Sequence, residues 1–338
     1  VAQMEAREQL HSTTTRLRGD GIALGLDVSL GAHTDGYDVW SRPELFAQDV
    51  SVGAPPDGGF PDGQDWGFPP VLPDASRASG HTYFAAALAH QASVAGFLRI
   101  DHVMTLSRLY WIPQGMEIHE GTYVQYPSEE LFAVLTLESH RNECEIVGED
   151  LGVVPPEIRS RLTRHGIRGM FMMQFEAGPS APTSPDDNQV ALVGNHDTAT
   201  FAGWLAGRDI DDRVSHGLLQ EEDSAQDREA RRTAVATMAA HVGVGTDDPD
   251  AMLDGILTWL GTSESSLVLP WLEDLWLEES RVNMPGTASH HRPNWQRPMR
   301  ILLDELLQDP AMGRRLKLLA DTRRGVDAEA DARGVPLR

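Results

Sequence analysis

Short apolar runs recur along this chain, and they are separated by segments whose apolar residues follow helical spacing. Each run is short enough to be one buried strand, and the six runs lie at residues 22–27, 96–101, 144–150, 169–175, 190–197 and 266–270. Helical patterns occupy residues 4–18, 82–95, 128–142, 156–165, 205–262 and 297–324. Strands that alternate with helices pair in parallel, because each helix returns the chain to the same end of the sheet. The order of these segments therefore predicts an α/β fold.

Several of the apolar runs end in acidic residues. Asp27, Asp101 and Glu149 close three of them, and His196-Asp197 closes another. In a (β/α)8 barrel the catalytic residues lie at the carboxyl ends of the strands, where the βα loops meet. The barrel interpretation therefore predicts one active site built from these residues.

The number of strands limits how complete such a barrel is. A closed (β/α)8 barrel needs eight strands, because strand number, tilt and shear are linked, and the sequence offers about six. We therefore predict an incomplete TIM-barrel-type (β/α)8 fold with long helical and loop insertions. The barrel portion is predicted to span residues 1–325, with insertions at 40–80, 102–140 and 205–262, and residues 326–338 are predicted to form a loose tail. The first insertion is rich in Pro, Gly and Asp and is predicted to be a long loop.

The composition excludes several classes of function. The chain carries 51 acidic and 28 basic residues, which gives a net charge of −23. This charge repels nucleic-acid phosphates and anionic lipids, so neither is predicted as the main partner. The single cysteine, Cys144, allows no disulfide within the chain, and neither a long apolar span nor a basic-then-apolar leader is present. We therefore predict a cytoplasmic protein that acts on a neutral substrate.

The residues at the strand ends have the chemistry of sugar transfer, although each also has a structural interpretation. Arg99 and Asp101 lie on the same side of one strand, so the guanidinium keeps a nucleophilic carboxylate ionised, but such pairs are also typical of structural ion pairs. Glu149 is a candidate general acid or a cap for the next turn. Asp197 is a candidate stabiliser of positive charge on the sugar, whereas His196-Asp197 is also typical of a metal-ligand pair or a buried structural histidine. No H-x-x-x-H or C-x-x-C spacing is present, and no metal site is predicted.

The residues around these positions form longer motifs. Three of them are Arg99-Ile100-Asp101-His102, Gly148-Glu149-Asp150-Leu151-Gly152 and His196-Asp197, and four further stretches lie at residues 27–40, 53–67, 111–124 and 283–295. Together, over roughly residues 15–305, they resemble the signature regions of the 4-α-glucanotransferases. These enzymes are also called amylomaltases or disproportionating enzymes, and they form glycoside hydrolase family 77, which is related to the α-amylases.

This resemblance implies a role for each residue. Asp101 would be the nucleophile, Glu149 the general acid/base and Asp197 the transition-state stabiliser of a retaining transfer. Arg99 and His196 would hold the sugar and the nucleophile. The residues expected to line the donor or acceptor side are Asp27, Asp57, Gln64 and Trp66. The family transfers a segment of an α-1,4-glucan to the 4-hydroxyl of another glucan or of glucose, and it needs no cofactor.

The resemblance also predicts what the chain lacks. The six predicted strands would be strands three to eight of the barrel, and the family has a much longer segment before the position of Asp27. Val1 is therefore expected to be an internal residue of a longer protein, and the isolated chain is expected to show little or no transferase activity. Two alternatives stay open. One is an α-glucan hydrolase of the α-amylase class, which uses the same carboxylates, and the other is an inactive glucan-binding fragment.

Overall fold

Contacts within the chain divide it into two units, Val1–Met170 and Phe171–Arg338. The computed structural model describes residues 1–287 and 291–332. Both units combine strands with helices, which confirms the predicted α/β fold. Within the described ranges, no helix has the length and apolar character that crossing a membrane requires.

The first unit contains seven strands in two sheets. The strands are β1 (Gly25–Val28), β2 (Val50–Ala54), β3 (Gln64–Asp65), β4 (Phe97–Ile100), β5 (Arg108–Pro113), β6 (Thr122–Gln125) and β7 (Glu145–Gly148). The helices are α1 (Ala2–Gly19), α2 (Tyr37–Ser41), α3 (Pro73–Ala78), α4 (Thr82–Ala92), α5 (Ser128–Asn142) and α6 (Pro156–Arg164). Short 3₁₀ helices cover Pro43–Leu45, Val103–Leu106 and Ile118–Glu120.

Strands β1, β4 and β7 are three of the predicted strands, and they form a parallel sheet in the order β1-β4-β7. In the central strand, Arg99 lies beside Asp27 of β1. Leu98 and Ile100 alternate with Arg99, so they project to the other face of the sheet. There they join a buried apolar cluster with residues from α4, α5 and α6. Burial of this apolar face fixes the register and leaves Arg99 on the opposite face.

The segments predicted as insertions at 40–80 and 102–140 contain a second sheet that the sequence analysis missed. Its order is β3-β2-β5-β6 and all its pairs are antiparallel, with Val52 of β2 opposite Trp111 of β5. The prediction of a long loop over 40–80 is therefore wrong in part, because β2, β3 and α3 lie within it. The strands are short, and their partners are distant in sequence. Pairing of this kind is set by tertiary context rather than by a local pattern.

The second unit begins inside β8 (Gly169–Met172) and continues with β9 (Gln189–Leu192) and β10 (Leu267–Leu269). These three strands form a sheet in the order β10-β9-β8. The helices are α7 (Met173–Glu176), α8 (Phe201–Ala206), α9 (Arg208–Ser215), α10 (Glu221–Val242), α11 (Pro249–Gly261), α12 (Leu303–Leu306) and α13 (Pro310–Ala332). A 3₁₀ helix covers Leu272–Trp276. Residues of β9, α10 and α11 share one buried apolar cluster, which fixes the end of β9.

The helical region predicted over 205–262 is divided into separate helices. Gly207 and Gly243 have positive φ angles of 71° and 76°, and they end α8 and α10. Glycine adopts this left-handed conformation without steric cost, and it commonly ends helices in this way. The strand predicted over 169–175 also ends early, at Met172, where α7 begins.

The C-terminal helix differs from the prediction at both ends. The helix predicted over 297–324 is replaced by the short α12 and the long α13. Helix α13 continues to Ala332, inside the segment predicted as a loose tail over 326–338. Residues 333–338 lie outside the described part of the chain.

All six predicted strands are present, but they belong to two three-stranded sheets, β1-β4-β7 and β10-β9-β8. The described residues form ten strands in all, and the other four belong to the antiparallel sheet. These sheets and their helices establish the α/β class. Whether the six strands belong to an incomplete barrel stays a prediction.

Candidate functional site

The parallel sheet of the first unit places three predicted site residues at one edge. Asp27 lies in β1, Asp101 follows the last residue of β4 and Glu149 follows the last residue of β7. The Asp101 amide donates to the Val28 carbonyl at 3.1 Å, and the Glu149 amide donates to the Ile100 carbonyl at 3.0 Å. These bonds continue the ladder beyond the strands, so the main chain itself positions both residues.

Arg99 joins the three carboxylates into what we call the Arg99 cluster: Asp27, Arg99, Asp101 and Glu149. Nη1 of Arg99 donates to both carboxyl oxygens of Asp27, at 2.6 and 2.7 Å. Nη2 lies 2.9 Å from Oδ1 of Asp101 and 2.8 Å from Oε2 of Glu149. Those two oxygens are at most about 5.7 Å apart, because both contact the same nitrogen. The structure therefore brings four of the predicted site residues together.

The charge of this cluster follows from its composition. Burial disfavours the charged guanidinium, whose side chain is 13% exposed, but Glu149, Asp101 and Asp27 outweigh this effect and raise the pKa of Arg99. Arg99 is therefore a permanent cation. With three carboxylates around one cation, the ionised cluster carries net negative charge, and such a cluster favours positive charge on a ligand beside it.

His102 links the end of β4 to the residue after β7. Its amide donates to Oε2 of Glu149 at 2.9 Å, and its backbone is left-handed with a φ of 42°. A side chain other than glycine is held there at a cost of roughly 1–3 kcal/mol, which the surrounding contacts must offset. Burial lowers the pKa of the His102 imidazole; Arg108 adds to this effect and Asp101 opposes it. His102 lies in the motif Arg99-Ile100-Asp101-His102, but the sequence predicted no role for it.

Gln64 and Trp66 reach the same region from the antiparallel sheet. Nε1 of Trp66 donates to Oε1 of Gln64 at 3.3 Å. The indole meets the imidazole of His102 edge-on, with ring centroids 5.4 Å apart, and stacks on Phe68 with centroids 6.4 Å apart. Trp66 thus lies beside the residue that follows Asp101, and its contact with Phe68 also anchors its own segment.

Asp57 is a predicted site residue that the structure places differently. Its Oδ1 accepts the amides of Gly59 and Phe60, both at 2.7 Å, and closes an exposed turn. The contacts of the described residues do not join its carboxylate to the Arg99 cluster. Asp57 therefore has a structural role in its own loop, and its role toward a ligand stays a prediction.

In the second unit, the loop after β9 carries His196 and Asp197. Nε2 of His196 lies 3.1 Å from Oδ2 of Asp197. Nδ2 of Asn283 donates to Oδ1 of Asp197 at 2.8 Å, and Oδ1 of Asn195 accepts the Asp197 amide at 2.9 Å. Both carboxyl oxygens and the main chain of Asp197 are therefore oriented, while its side chain stays 36% exposed.

Two tryptophans lie against His196, and neither was a predicted site residue. The ring centroid of Trp295 is 5.4 Å from that of His196, and the centroid of Trp271 is 6.1 Å away. Neighbouring Asn294 accepts the Met284 amide at 3.2 Å, which connects the two ends of the 283–295 stretch. Asn283 and Trp295, at these ends, therefore reach Asp197 and His196 together.

Asn283 was not found as a site residue because it lies 86 residues from Asp197 in sequence. Its place in the 283–295 stretch, which resembles a signature region of the family, was the only signal in the sequence. Within residues 1–287 and 291–332, no three or more His, Cys, Asp or Glu side chains are arranged to hold a metal ion.

Comparison with known proteins gives these residues a context. The family model described as 4-alpha-glucanotransferase matches residues 1–304. A 4-alpha-glucanotransferase of Mycobacterium tuberculosis is 34% identical over 330 residues, which cover 91% of this chain and 45% of that protein. A 4-alpha-glucanotransferase of Haemophilus influenzae is 34% identical over 319 residues, which cover 87% of this chain and 44% of that protein.

A solved structure agrees with these relatives. The crystal structure of amylomaltase from Corynebacterium glutamicum matches with a TM-score of 0.84 and 28% sequence identity. The match covers 92% of this chain and 48% of the other. The chain therefore spans about half the length of the curated relatives it matches. The matched residues 1–304 include every predicted site residue, and the chain belongs to the 4-alpha-glucanotransferase family, glycoside hydrolase family 77.

Proposed function

We propose that this chain carries the catalytic groups of a 4-α-glucanotransferase. Asp101 is the nucleophile, Glu149 is the general acid/base and Asp197 stabilises the transition state. The observation that carries this proposal is the shared contact of Asp101 and Glu149 with Nη2 of Arg99. It keeps these two oxygens at most about 5.7 Å apart, which accommodates the separation of about 5–5.5 Å between the carboxyl groups of retaining glycosidases.

The reaction has two steps. Glu149 gives a proton to the glycosidic oxygen while the Asp101 carboxylate attacks C1 of the sugar, and the leaving glucan departs with a free 4-hydroxyl. An acceptor glucan then gives the proton of its 4-hydroxyl to Glu149 and attacks C1, which releases Asp101. Positive charge develops on the sugar in both steps, and the negative charges of the Arg99 cluster and Asp197 favour it.

The substrate is an α-1,4-glucan or maltooligosaccharide, and glucose also serves as an acceptor. Arg99 and His196 hold the reacting sugar, and the donor or acceptor side is lined by Asp27, Asp57, Gln64 and Trp66. The contact between Trp66 and His102 supports this for the aromatic residue, since it brings an indole beside the residue that follows Asp101. Family membership supports the transfer reaction. No cofactor takes part in either step.

We also propose that the six strands of the two three-stranded sheets are strands three to eight of an incomplete (β/α)8 barrel within residues 1–325. The share of 45% of the Mycobacterium tuberculosis relative that this chain covers supports the idea. Reading the coding DNA upstream of the Val1 codon tests it. An in-frame segment encoding two further βα units supports the proposal, and a start codon at that point contradicts it.

Product analysis tests the reaction. The protein expressed from its natural reading frame is incubated with maltotriose, and the products are separated by chromatography. We expect glucose together with glucans longer than maltotriose, whereas glucose and maltose alone would show hydrolysis. Asp101→Asn should abolish transfer, and Asp20→Asn, which changes an exposed carboxylate after α1, should not.

A trapping experiment tests the roles of the two acids. Glu149→Gln can still be glucosylated by an activated glucosyl fluoride, because fluoride leaves without protonation, but it cannot complete the second step efficiently. We expect mass spectrometry to find the added sugar on the peptide that contains Asp101. Sugar on another carboxylate would contradict the assignment of the nucleophile.

A further inference from the structure

The segment after β10 contacts the loop of Asp197 on both sides. Trp271 lies against His196, just before Asp197. Three residues later, Oδ1 of Asp274 accepts the amide of Phe201, the first residue of α8, at 2.6 Å. Residues three apart lie on the same face of a 3₁₀ turn, so one face of this turn reaches both ends of the loop.

The start of α8 is held by two acceptors. The first amides of a helix have no partner within the helix. Oγ1 of Thr200 accepts the amide of Gly203, and Asp274 accepts the amide of Phe201. The chain from Asp197 to Phe201 is short, so a shift of the helix start moves Asp197 as well.

Asp274 is an unusual residue for an acceptor of this kind. It is 1% exposed, and its Oδ2 has no hydrogen-bond partner among the described residues. A buried carboxyl with one unsatisfied oxygen is costly. Burial raises the pKa of Asp274 to about 7, and Glu273 adds to this effect, while the Phe201 amide and Arg315 oppose it.

Arg315 does not form an ion pair with Asp274. Its Nη1 donates to the Leu275 carbonyl at 2.7 Å, its Nε donates to Asp254 at 3.0 Å and its Nη2 donates to Asp250. The guanidinium therefore pairs with two carboxylates of α11 and fixes the main chain of the 3₁₀ turn. Asp274 is not held by this guanidinium, and its hydrogen bond goes to the start of α8.

We propose that Asp274 is a positioning residue for glucosyl transfer, which fixes the start of α8 and thereby the orientation of Asp197. The inference rests on the proposed role of Asp197 in the transition state. Asp274 acts through the Phe201 amide and does not contact the sugar. Its loss therefore weakens an interaction made only in the transition state, which lowers kcat and leaves KM unchanged.

Three substitutions of Asp274 separate position from charge. Asp274→Asn keeps an oxygen for the Phe201 amide and should stay within about threefold of the native kcat. Asp274→Ala removes the acceptor, and Asp274→Glu keeps the charge but moves the oxygens by one methylene. Both should lower kcat by about 10- to 100-fold with KM within about twofold, since small misplacements of catalytic groups have effects of this size. Glu273→Gln, on the same turn, is the matched control and should leave kcat unchanged.

The assay uses maltotriose and the protein expressed from its natural reading frame, and thermal melts identify variants that do not fold. If Asp274→Ala fails to fold, the Asn and Glu variants still test whether Asp274 positions the start of α8. An Asn variant as poor as the Glu variant, or a folded Ala variant with native kcat, overturns the inference. Asp197→Asn is measured in parallel. If Asp197→Asn keeps the native kcat, the proposed role of Asp197 is wrong. If Asp197→Asn is impaired while the Asp274 variants are not, only the positioning role of Asp274 is wrong.

Discussion

The two units hold their predicted catalytic carboxylates in different ways. In the first unit, Asp101 and Glu149 share one nitrogen of Arg99, a buried cation. In the second unit, Asp197 is held by the side-chain amide of Asn283 and the imidazole of His196. A guanidinium neutralises part of the charge that its carboxylates present, whereas an amide orients a carboxylate without cancelling its charge.

This difference matches the catalytic role proposed for each carboxylate. Asp101 and Glu149 lie close together and must hold different protonation states, so a cation between them reduces their repulsion. Asp197 exchanges no proton or covalent bond in the proposed reaction, and its use depends on full negative charge in a fixed place. The first unit should therefore be sensitive to loss of the guanidinium, which holds three carboxylates by both its charge and its planar geometry, and the second unit to loss of a hydrogen bond.

The largest effect is expected from Arg99→Lys. A lysine keeps one positive charge, but a point charge cannot contact Asp27, Asp101 and Glu149 with the geometry of a planar fork. We expect kcat/KM for maltotriose transfer to fall about 100- to 1000-fold. Arg168→Lys is the matched control, because Arg168 pairs with Glu145 at the other end of β7. Equal losses in both variants would show that the cluster acts through stability alone.

Asn283 should have the next largest effect. Asn283→Ala removes a donor to Asp197, and we expect kcat to fall about 10- to 100-fold while KM stays nearly constant. Asn283→Asp should be worse, because a second carboxylate beside Asp197 raises the pKa of the pair and disfavours full ionisation. Steady-state kinetics on both variants decide this. An Asp variant better than the Ala variant would contradict the idea that Asn283 preserves the charge of Asp197.

The same comparison shows what the sequence could predict. The Arg99 cluster was predictable, because Asp27, Arg99, Asp101 and Glu149 lie in or directly after parallel strands, and their spacing follows from strand alternation. The local pattern carries this information, since an apolar run followed by a carboxylate specifies both the strand and its end. All six apolar runs correspond to strands of the two three-stranded sheets, including the two that do not end in an acidic residue.

The features that the sequence did not predict depend on contacts between segments that are distant in sequence. Asn283 and Trp295 reach the Asp197 loop from a stretch without regular periodicity, and no spacing rule connects them. The antiparallel sheet was missed for the same reason, because β2 pairs with β5 across the whole of α3, α4 and β4. Its short strands lie among Pro and Gly, which indicate loops when only local sequence is considered.

Asp274 gives a smaller effect, measured as stability against pH. Its pKa is raised to about 7, so the folded chain keeps this proton after the unfolded chain has lost it. The free energy of unfolding therefore falls as pH rises from about 4 to 7 and stays level above that. Relative to Asp274→Asn, the native chain should lose about 1 kcal/mol between pH 6 and 8. Urea unfolding at both pH values measures this, with Asp304→Asn, an exposed carboxylate of the same unit, as the control.

Trp66→Ala should have the smallest effect, and it tests whether the first unit also uses an aromatic face toward the glucan. An indole face covers the apolar face of a glucose ring, and such a contact contributes about 0.5–1.5 kcal/mol. We expect KM for long glucans to rise about threefold. KM for maltose should change little, because a substrate of two glucose units is too short to contact every aromatic side chain along the site.

The alternative role for Trp66 is to anchor its own segment, and its ring contacts with Phe68 and His102 support this alternative. Trp66→Phe tests the hydrogen bond separately from the ring, because phenylalanine keeps a ring for stacking but loses the bond from Nε1 to Gln64. A Phe variant that binds long glucans like the native protein shows that the ring, and not this bond, carries the effect of Trp66→Ala. Equal losses for long glucans and maltose in the Ala variant would favour anchoring, because a displaced segment disturbs His102, and with it Glu149, whatever the length of the substrate.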